Sequence, residues 1–251
     1  MMDLRKIVAS SLPGNAEYVF GLADIRGIVD PRFAEYHFAL SLARKMDDGI
    51  IDTIAGGPTA EYLELYHLVN EELDCVARGI AEKLGETGMK CLALEPTAVK
   101  RSMTEEEHRT LHFPFSHKMA ATRAGLGWIG KTDLLVTRKF GPRVRLATVL
   151  IDRIPEHHEK RETPGTPLES SLCGDCAICV DACPASAANG KPWKAGMKRE
   201  EFFDAFACRE TARKLSRERL GHEETICGIC VNVCPAGRKG RAAAGVKDQH
   251  G

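Results

Sequence analysis

The chain has 251 residues, of which 43 % are apolar, and this composition supports a hydrophobic core and excludes an intrinsically disordered protein. Lys plus Arg and Asp plus Glu both number 35, and the resulting net charge of zero argues against a general polyanion binder. No apolar run has the length of a membrane span or a signal peptide. We therefore expect a cytoplasmic protein with no membrane association, whose ten cysteines stay reduced and bind metal rather than form disulfides.

Residues 1–152 alternate between short apolar runs and one long periodic segment, a pattern typical of an α+β domain. Apolar residues recur at spacings of three and four from Tyr62 to Leu84, which predicts an amphipathic helix over residues 59–84. A second, short helix is expected at residues 116–124, broken by Gly125. The predicted strands are residues 18–25, 36–43, 91–94, 134–137 and 144–151.

The remainder of the chain divides into three segments by composition. Residues 153–169 are charged, contain three prolines and show no periodicity, so we interpret them as a linker or surface loop. Residues 170–238 hold most of the cysteines and include a charged stretch, residues 199–220, that we expect to be helical. Residues 239–251 are small, basic and polar, which is typical of a mobile tail.

The first cysteine motif predicts an iron–sulfur site. Four cysteines followed by Pro184 have the C-x2-C-x2-C-x3-C-P spacing of bacterial ferredoxins. Three thiolates at this spacing can wrap one corner of a [4Fe–4S] cluster, while the fourth reaches a second cluster. Gly174 lets the backbone approach the inorganic sulfides, to which its N–H groups can donate. The four residues are Cys173, Cys176, Cys179 and Cys183.

The second motif is C-x2-C-x3-C-P, which lacks its first cysteine, and Cys208 is the spare thiol assigned to that position. A crossed arrangement then gives two ligand sets. The sets are Cys173, Cys176, Cys179 and Cys234 for one cluster, and Cys183, Cys208, Cys227 and Cys230 for the other. Structural zinc is disfavoured because it uses two C-x2-C pairs. Cys75, among helix core positions, and Cys91, in a strand, are interpreted as buried apolar residues.

A glycine-rich segment matches two nucleotide-binding patterns, G-x-G-x-x-G and G-x-x-x-x-G-K-T. Both patterns require a strand before the segment and a helix after it, and here the predicted order is reversed. We therefore reject a nucleotide site and weigh a tight helix-to-strand turn against contact with a cofactor. Trp128 offers a wide apolar face, and the cofactor contact is favoured because the segment leads directly towards the cysteine region. The candidate residues are Gly125, Leu126, Gly127, Trp128, Ile129, Gly130 and Lys131.

The segment from His117 to Leu135, together with the two cysteine motifs, resembles epoxyqueuosine reductases. The resemblance covers roughly residues 62–235 and is most specific at residues 124–131 and at the eight cysteines. It implies a nitroreductase-like, cobalamin-binding N-terminal domain followed by a ferredoxin-like domain with two [4Fe–4S] clusters, as in the related reductive dehalogenases. It also implies an external low-potential donor of the ferredoxin or flavodoxin type, and a cobalamin that receives electrons and cleaves a substrate bond.

The chain departs from this family at the carboxylates that could donate a proton to the substrate. The family's Asp-Tyr-His is replaced by Leu65, Tyr66 and His67, and the acidic pair before the glycine segment is absent. His67 and His117 are therefore the candidate acids. Because the chain stops at Gly251 and has no net charge, a small molecule or a modified nucleoside is favoured over tRNA as substrate.

Two alternatives stay open. Kinship with flavin nitroreductases allows an iron–sulfur flavoprotein with FMN in place of cobalamin. The missing carboxylates allow a protein that is not an enzyme, either an electron carrier or an activator of a corrinoid partner. The substrate, the cluster potentials and the oligomeric state do not follow from the sequence.

Overall fold

A computed structural model describes residues 4–96, 103–154 and 164–238 of the chain. The predicted tail, residues 239–251, and the middle of the predicted linker lie outside the described residues. The helices are α1 (Leu4–Ser11), α2 (Asp48–Asp52), α3 (Ala60–Gly85), α4 (Glu105–Thr110), α5 (His117–Arg123), α6 (Ile178–Asp181), α7 (Ala205–Leu220) and α8 (Ile229–Val233). The strands are β1 (Tyr18–Asp24), β2 (Phe38–Lys45), β3 (Cys91–Leu94), β4 (Gly127–Ile129), β5 (Leu135–Thr137) and β6 (Val144–Ile151).

An antiparallel sheet with the strand order β1-β2-β6-β3 forms the centre of the N-terminal part, residues 4–154. Side chains alternate between its faces, so consecutive residues enter different cores. Leu40 and Val149 pack with α3 on one face, whereas Ala39 and Leu150 pack with α5 on the other. The result is a three-layer α+β arrangement, which confirms the predicted fold class.

Helix α3 follows the predicted periodicity closely. The Thr59 hydroxyl caps its N-terminus by accepting a hydrogen bond from the Tyr62 amide at 3.2 Å. Its buried stripe contains Val69, Leu73 and Ile80. The prediction that Cys75 is buried is wrong, because two positions beyond Leu73 the side chain turns to the exposed face of the helix. Cys91 lies in β3 and is half-buried against the core.

Two local predictions also need correction. Residues 127–129 form strand β4, which pairs with β5 in a hairpin; the sequence analysis placed no strand there. The predicted helix at residues 199–220 is interrupted, because a short 3-10 turn ends at Glu201 and α7 begins only after Asp204. The Asp204 carboxylate caps α7 by accepting hydrogen bonds from the Phe206 and Ala207 amides.

The cysteine region, residues 170–238, packs directly against the N-terminal part. A Cβ on Gly228 would lie 2.4 Å from the Ile54 side chain, so the second cysteine motif is seated against α2 and α3 with no space between them. The Asn232 side chain donates to the Ile51 carbonyl at 2.8 Å. Within the described part of the chain, no helix combines the length and the apolar character needed to cross a bilayer.

Arg143 joins the same two regions. Its guanidinium is 1 % exposed and donates to Asp48 at 3.0 Å, to Asp52 at 2.6 Å and to the Asn232 carbonyl at 3.4 Å. Asp48 also pairs with Lys45 at 2.9 Å. The positive charge of Arg143 is therefore compensated by the two carboxylates of α2, and its hydrogen bond to the Asn232 carbonyl holds α8.

Candidate iron–sulfur and cofactor site

The eight cysteines of the C-terminal region lie in two groups in space. The thiol of Cys234 interacts electrostatically with those of Cys173, Cys176 and Cys179, which we call the surface set because Cys176 is exposed. The thiol of Cys208 interacts with those of Cys183 and Cys227, and all three surround Cys230. We call these four the cleft set. Cys230 also interacts with Cys179 of the surface set, so the two groups adjoin, and the crossed ligand assignment stays a prediction.

Burial governs the chemistry of these thiols. It raises the pKa of Cys208 and of Cys234 to about 11, and neighbouring thiols add to the effect. Burial also raises the pKa of Cys230 strongly. Thiolates in such places need a compensating positive charge, which iron supplies when thiols become ligands. The donor set therefore fits iron–sulfur clusters.

Among the described residues, no three His, Cys, Asp or Glu side chains converge closely enough to hold one metal ion. A four-iron cluster fills the space between its four thiolates, so its ligands stand further apart than those of zinc.

The predicted cofactor segment lies mainly against the surface set. The Trp128 indole N–H donates to the Cys173 sulfur at 3.3 Å. A Cβ on Gly130 would lie 3.8 Å from the same sulfur, and the Thr132 side chain lies beside the Cys179 thiol. Of the seven candidate residues, Ile129 alone lines one of the two cavities described below, and Lys131 is buried.

Gly125 and Gly127 have backbone roles in this segment. Gly125 has a φ of 73°, in the left-handed region that glycine adopts easily, and it turns the chain from α5 into β4. A Cβ on Gly127 would lie 2.2 Å from the Val136 carbonyl oxygen, so the hairpin strands could not pair as they do. The segment is a tight hairpin held against thiols. Helix α5 precedes the turn at Gly125 and strand β4 follows it, which is the reverse of the strand–loop–helix order of a phosphate-binding loop, as predicted.

Two adjoining cavities form a cleft between the N-terminal part and the cysteine region. The cluster-side cavity measures about 640 Å³, and all four thiols of the cleft set line it. The distal cavity measures about 750 Å³ and is lined by α5 and by residues around Trp193. Lys118 and Arg145 belong to the wall that the two cavities share. Each volume lies within the range of about 300–1,000 Å³ typical of ligand sites.

The shared wall carries a hydrogen-bonded polar group. Arg145 donates to the Asn70 side-chain oxygen at 3.0 Å and to the Tyr66 hydroxyl at 3.1 Å, and its guanidinium lies 4.2 Å from the Tyr66 ring centre. Lys118 pairs with Asp133 at 2.5 Å. The pairing of Tyr66 with Arg145 was not predicted, because the two residues are 79 positions apart and neither belongs to a recognisable motif.

The two predicted acids lie apart from each other. His67 lines a smaller neighbouring cavity of about 340 Å³ with Arg219 and His222. The ring of His117 lines the distal cavity, where its Nε2 donates to the Glu95 carbonyl at 2.9 Å and its Nδ1 accepts from the Thr148 hydroxyl at 2.8 Å. Burial lowers the pKa of His117 to about 4, so the ring is neutral at pH 7 and does not suit an acid near neutrality.

His117 makes stability depend on pH. The unfolded chain binds a proton at this residue below about pH 6.5, whereas the folded chain resists it down to about pH 4, so stability falls as the pH falls between these values. With a folded-state pKa of about 4, we expect a loss of roughly 1 kcal/mol between pH 7.5 and pH 5.5. Urea unfolding at both pH values measures it.

A matched pair of variants isolates this effect. His117→Asn removes the titrating ring, so the difference between the two pH values should shrink by that amount. His112→Asn removes an exposed ring paired with Glu200 and should leave most of the difference in place. If His117→Asn kept the full pH dependence, another group would be responsible.

Comparisons with known proteins agree with these observations. Residues 172–237 match the family model of the 4Fe-4S double cluster binding domain. This part of the chain is therefore similar to double-cluster iron–sulfur domains. Epoxyqueuosine reductase of Pseudomonas aeruginosa is 31 % identical over 129 residues, which is 51 % of this chain and 33 % of the relative. That of Cellulophaga algicola is 26 % identical over 243 residues, which is 94 % of this chain and 69 % of the relative.

The solved structures show the same fold. A reductive dehalogenase, whose structure is described as indicating a mechanism for B12-dependent dehalogenation, has a TM-score of 0.66 at 17 % identity and covers 94 % of this chain and 31 % of its own. An epoxyqueuosine reductase bound to an epoxyqueuosine-modified tRNA stem loop has a TM-score of 0.51, covering 93 % and 64 %. The resemblance to epoxyqueuosine reductases is thereby confirmed. The chain spans about a third of the length of the Pseudomonas relative.

Proposed function

We propose that this chain is a reductase in which two [4Fe–4S] clusters deliver electrons to a cobalamin bound in the cleft. One observation carries the proposal: the four thiols of the cleft set lie in the wall of a cavity large enough for a ligand. A cluster held there by Cys183, Cys208, Cys227 and Cys230 would face the cavity directly. The double-cluster domain and the resemblance to epoxyqueuosine reductases support this proposal.

The two sets define a direction for the electrons. The surface set, with the exposed Cys176, would hold the cluster that receives electrons from an external low-potential donor of the ferredoxin or flavodoxin type. The cleft set would hold the cluster that passes them onward. Cys183 ends the first motif but belongs to the cleft set, and Cys234 ends the second motif but belongs to the surface set. The two clusters would therefore lie in one compact unit.

The cleft walls suit a large, partly apolar cofactor. Ile51, Leu63 and Phe203 present apolar surface to the cluster-side cavity, from both regions of the chain. A bound cobalamin would supply the strongly reducing centre that cleaves the substrate bond. FMN could enter the same cleft, but the relatives of known structure favour cobalamin.

Tyr66 is the residue best placed to supply a proton. Its hydroxyl lines the cluster-side cavity and accepts a hydrogen bond from Arg145, which fixes the position of the phenol oxygen there. Arg145 and Lys118 on the shared wall would orient a polar substrate in the distal cavity. The reaction class is reductive cleavage of a carbon–oxygen or carbon–halogen bond.

For the substrate we propose a small molecule or a modified nucleoside. The resemblance to epoxyqueuosine reductases supports a modified nucleoside. The net charge of zero over the chain argues against extensive contacts with a tRNA backbone. The distal cavity is large enough for a nucleoside.

An anaerobic titration tests this function. Cluster-loaded protein is titrated with cob(II)alamin while optical and EPR spectra are recorded, and we expect saturable binding with a changed cobalt signal. Acid extraction of the protein as isolated then separates corrinoid from flavin. If no corrinoid binds, the proposal is wrong. Bound FMN would indicate an iron–sulfur flavoprotein, and the absence of both cofactors would indicate an electron carrier. Tyr66→Phe should keep the binding and lose turnover of an epoxyqueuosine nucleoside.

A further inference from the structure

Hairpin β4–β5 touches the surface set through two side chains. Trp128 in β4 is 5 % exposed, and its indole N–H can only donate, so the 3.3 Å contact is a hydrogen bond to the Cys173 sulfur. Thr132 follows in the connection between the strands, is buried, and places its hydroxyl group beside the Cys179 thiol. Both sulfurs belong to the surface set. The N-terminal part thus supplies polar hydrogens to sulfurs of the double-cluster domain.

The hairpin is held firmly in this position. The Gly130 amide donates to the Leu134 carbonyl at 2.8 Å, and the Asp133 amide donates back to the Gly130 carbonyl at 3.0 Å. Lys118 in α5 donates to the Asp133 carbonyl at 2.7 Å and pairs with its carboxylate. Since Gly127 also packs against the Val136 carbonyl, Trp128 has little freedom to move away from the sulfur.

We propose that Trp128 raises the reduction potential of the cluster held by the surface set through its hydrogen bond to the Cys173 sulfur, and that the neighbouring Thr132 hydroxyl acts in the same direction. The inference rests on the proposed function only in assuming that the surface set binds a [4Fe–4S] cluster. Hydrogen bonds to cluster sulfurs stabilise the added negative charge of the reduced state, and they are one of the factors that set cluster potentials. Both residues are positioning residues for electron transfer and touch no substrate.

This assignment changes the interpretation of the glycine-rich segment. Its glycines allow the strands to approach each other, and its tryptophan serves an inorganic cofactor rather than an organic one. Removal of the Trp128 indole N–H or of the Thr132 hydroxyl should make the surface cluster harder to reduce while the potential of the cleft cluster stays unchanged. The surface cluster would then accept electrons less readily from the external donor.

An EPR-monitored redox titration of the cluster-loaded protein tests the proposal. The variants are Trp128→Phe and Thr132→Val, alone and together. We expect the midpoint potential of one cluster to move to a more negative value in each, with the largest shift in the double variant. Thr137→Val is the matched control, because its buried hydroxyl in the same hairpin bonds the Gly141 carbonyl and no cysteine. It should leave both potentials unchanged.

Two further measurements make the outcome decisive. A Cys176→Ser variant identifies the signal of the surface cluster, which must be the one that shifts. Iron analysis confirms that each variant carries both clusters. If Trp128→Phe loses a cluster, the midpoint potential of the surface cluster in Thr132→Val tests the proposal. Unchanged potentials in fully loaded Thr132→Val and Trp128→Phe would overturn the proposal. If the unsubstituted protein failed to take up two clusters, the proposed function itself would be wrong.

Discussion

Replacing Cys230 by serine is expected to lower the iron content of reconstituted protein from about eight to about four atoms per chain. Cys230 belongs to the cleft set, burial raises the pKa of its thiol strongly, and the thiols of Cys183, Cys208 and Cys227 lie near it. A serine hydroxyl is a poor substitute for a thiolate in a buried iron site, so the cluster there should not assemble stably. Iron and sulfide analysis, with the EPR spectrum of the reduced protein, measures the loss.

Further cysteine variants test the crossed arrangement. Cys183→Ser and Cys208→Ser should remove the same EPR signal as Cys230→Ser, whereas Cys173→Ser and Cys234→Ser should remove the other. Cys75→Ser is the control, since Cys75 is exposed on α3 and should leave the iron content unchanged. If Cys234→Ser removed the signal that depends on Cys230, the clusters would not be crossed.

The substitution Arg143→Leu is expected to reduce the free energy of unfolding by about 3 kcal/mol. Loss of the 1 % exposed guanidinium leaves the Asn232 carbonyl and Asp52 without this partner. The expected loss lies at the lower end of the range for broken buried pairs because Asp48 keeps its contact with Lys45. Anaerobic urea unfolding of the cluster-loaded protein, followed by tryptophan fluorescence, gives the value.

The matched control is an arginine on the surface. Arg78 is exposed on α3 and pairs with Asp74 one turn away, so Arg78→Leu should change stability by no more than about 0.5 kcal/mol. Because Arg143 holds α8, its loss should also accelerate the release of iron on dilution. Equal unfolding midpoints for the two variants would show that Arg143 does not hold the two regions together.

Elements with strong local signals were predictable from the sequence. Helix α3 has a continuous stripe from Tyr62 to Leu84 and a capping threonine, and β6 is a long apolar run bounded by Gly141 and Pro142. Fixed spacing in the cysteine motifs reflects the size of the cluster, so the chemistry of the double-cluster domain was accessible without a structure.

Other features depend on contacts that no local pattern records. Strand β4 has three residues, one of them a glycine, and is too short to show an alternation of apolar and polar residues. The strand forms because β5 pairs with it. The break before α7 follows from burial of Phe202 together with capping by Asp204. The lowered pKa of His117 follows from burial of the ring by segments that are distant in sequence, among them β6 with Thr148.

The cleft has walls from both regions of the chain, with Tyr66 and Arg145 on one side and the cleft set on the other. A molecule that fills it binds the folded chain and has no comparable site on the unfolded one, so binding and folding are thermodynamically linked. At a free concentration one hundred times the Kd, the native state gains about 2.7 kcal/mol. The melting temperature of the protein therefore reports occupancy of the cleft, and a thermal-shift screen of corrinoids, flavins and nucleosides can rank ligands before any turnover is known.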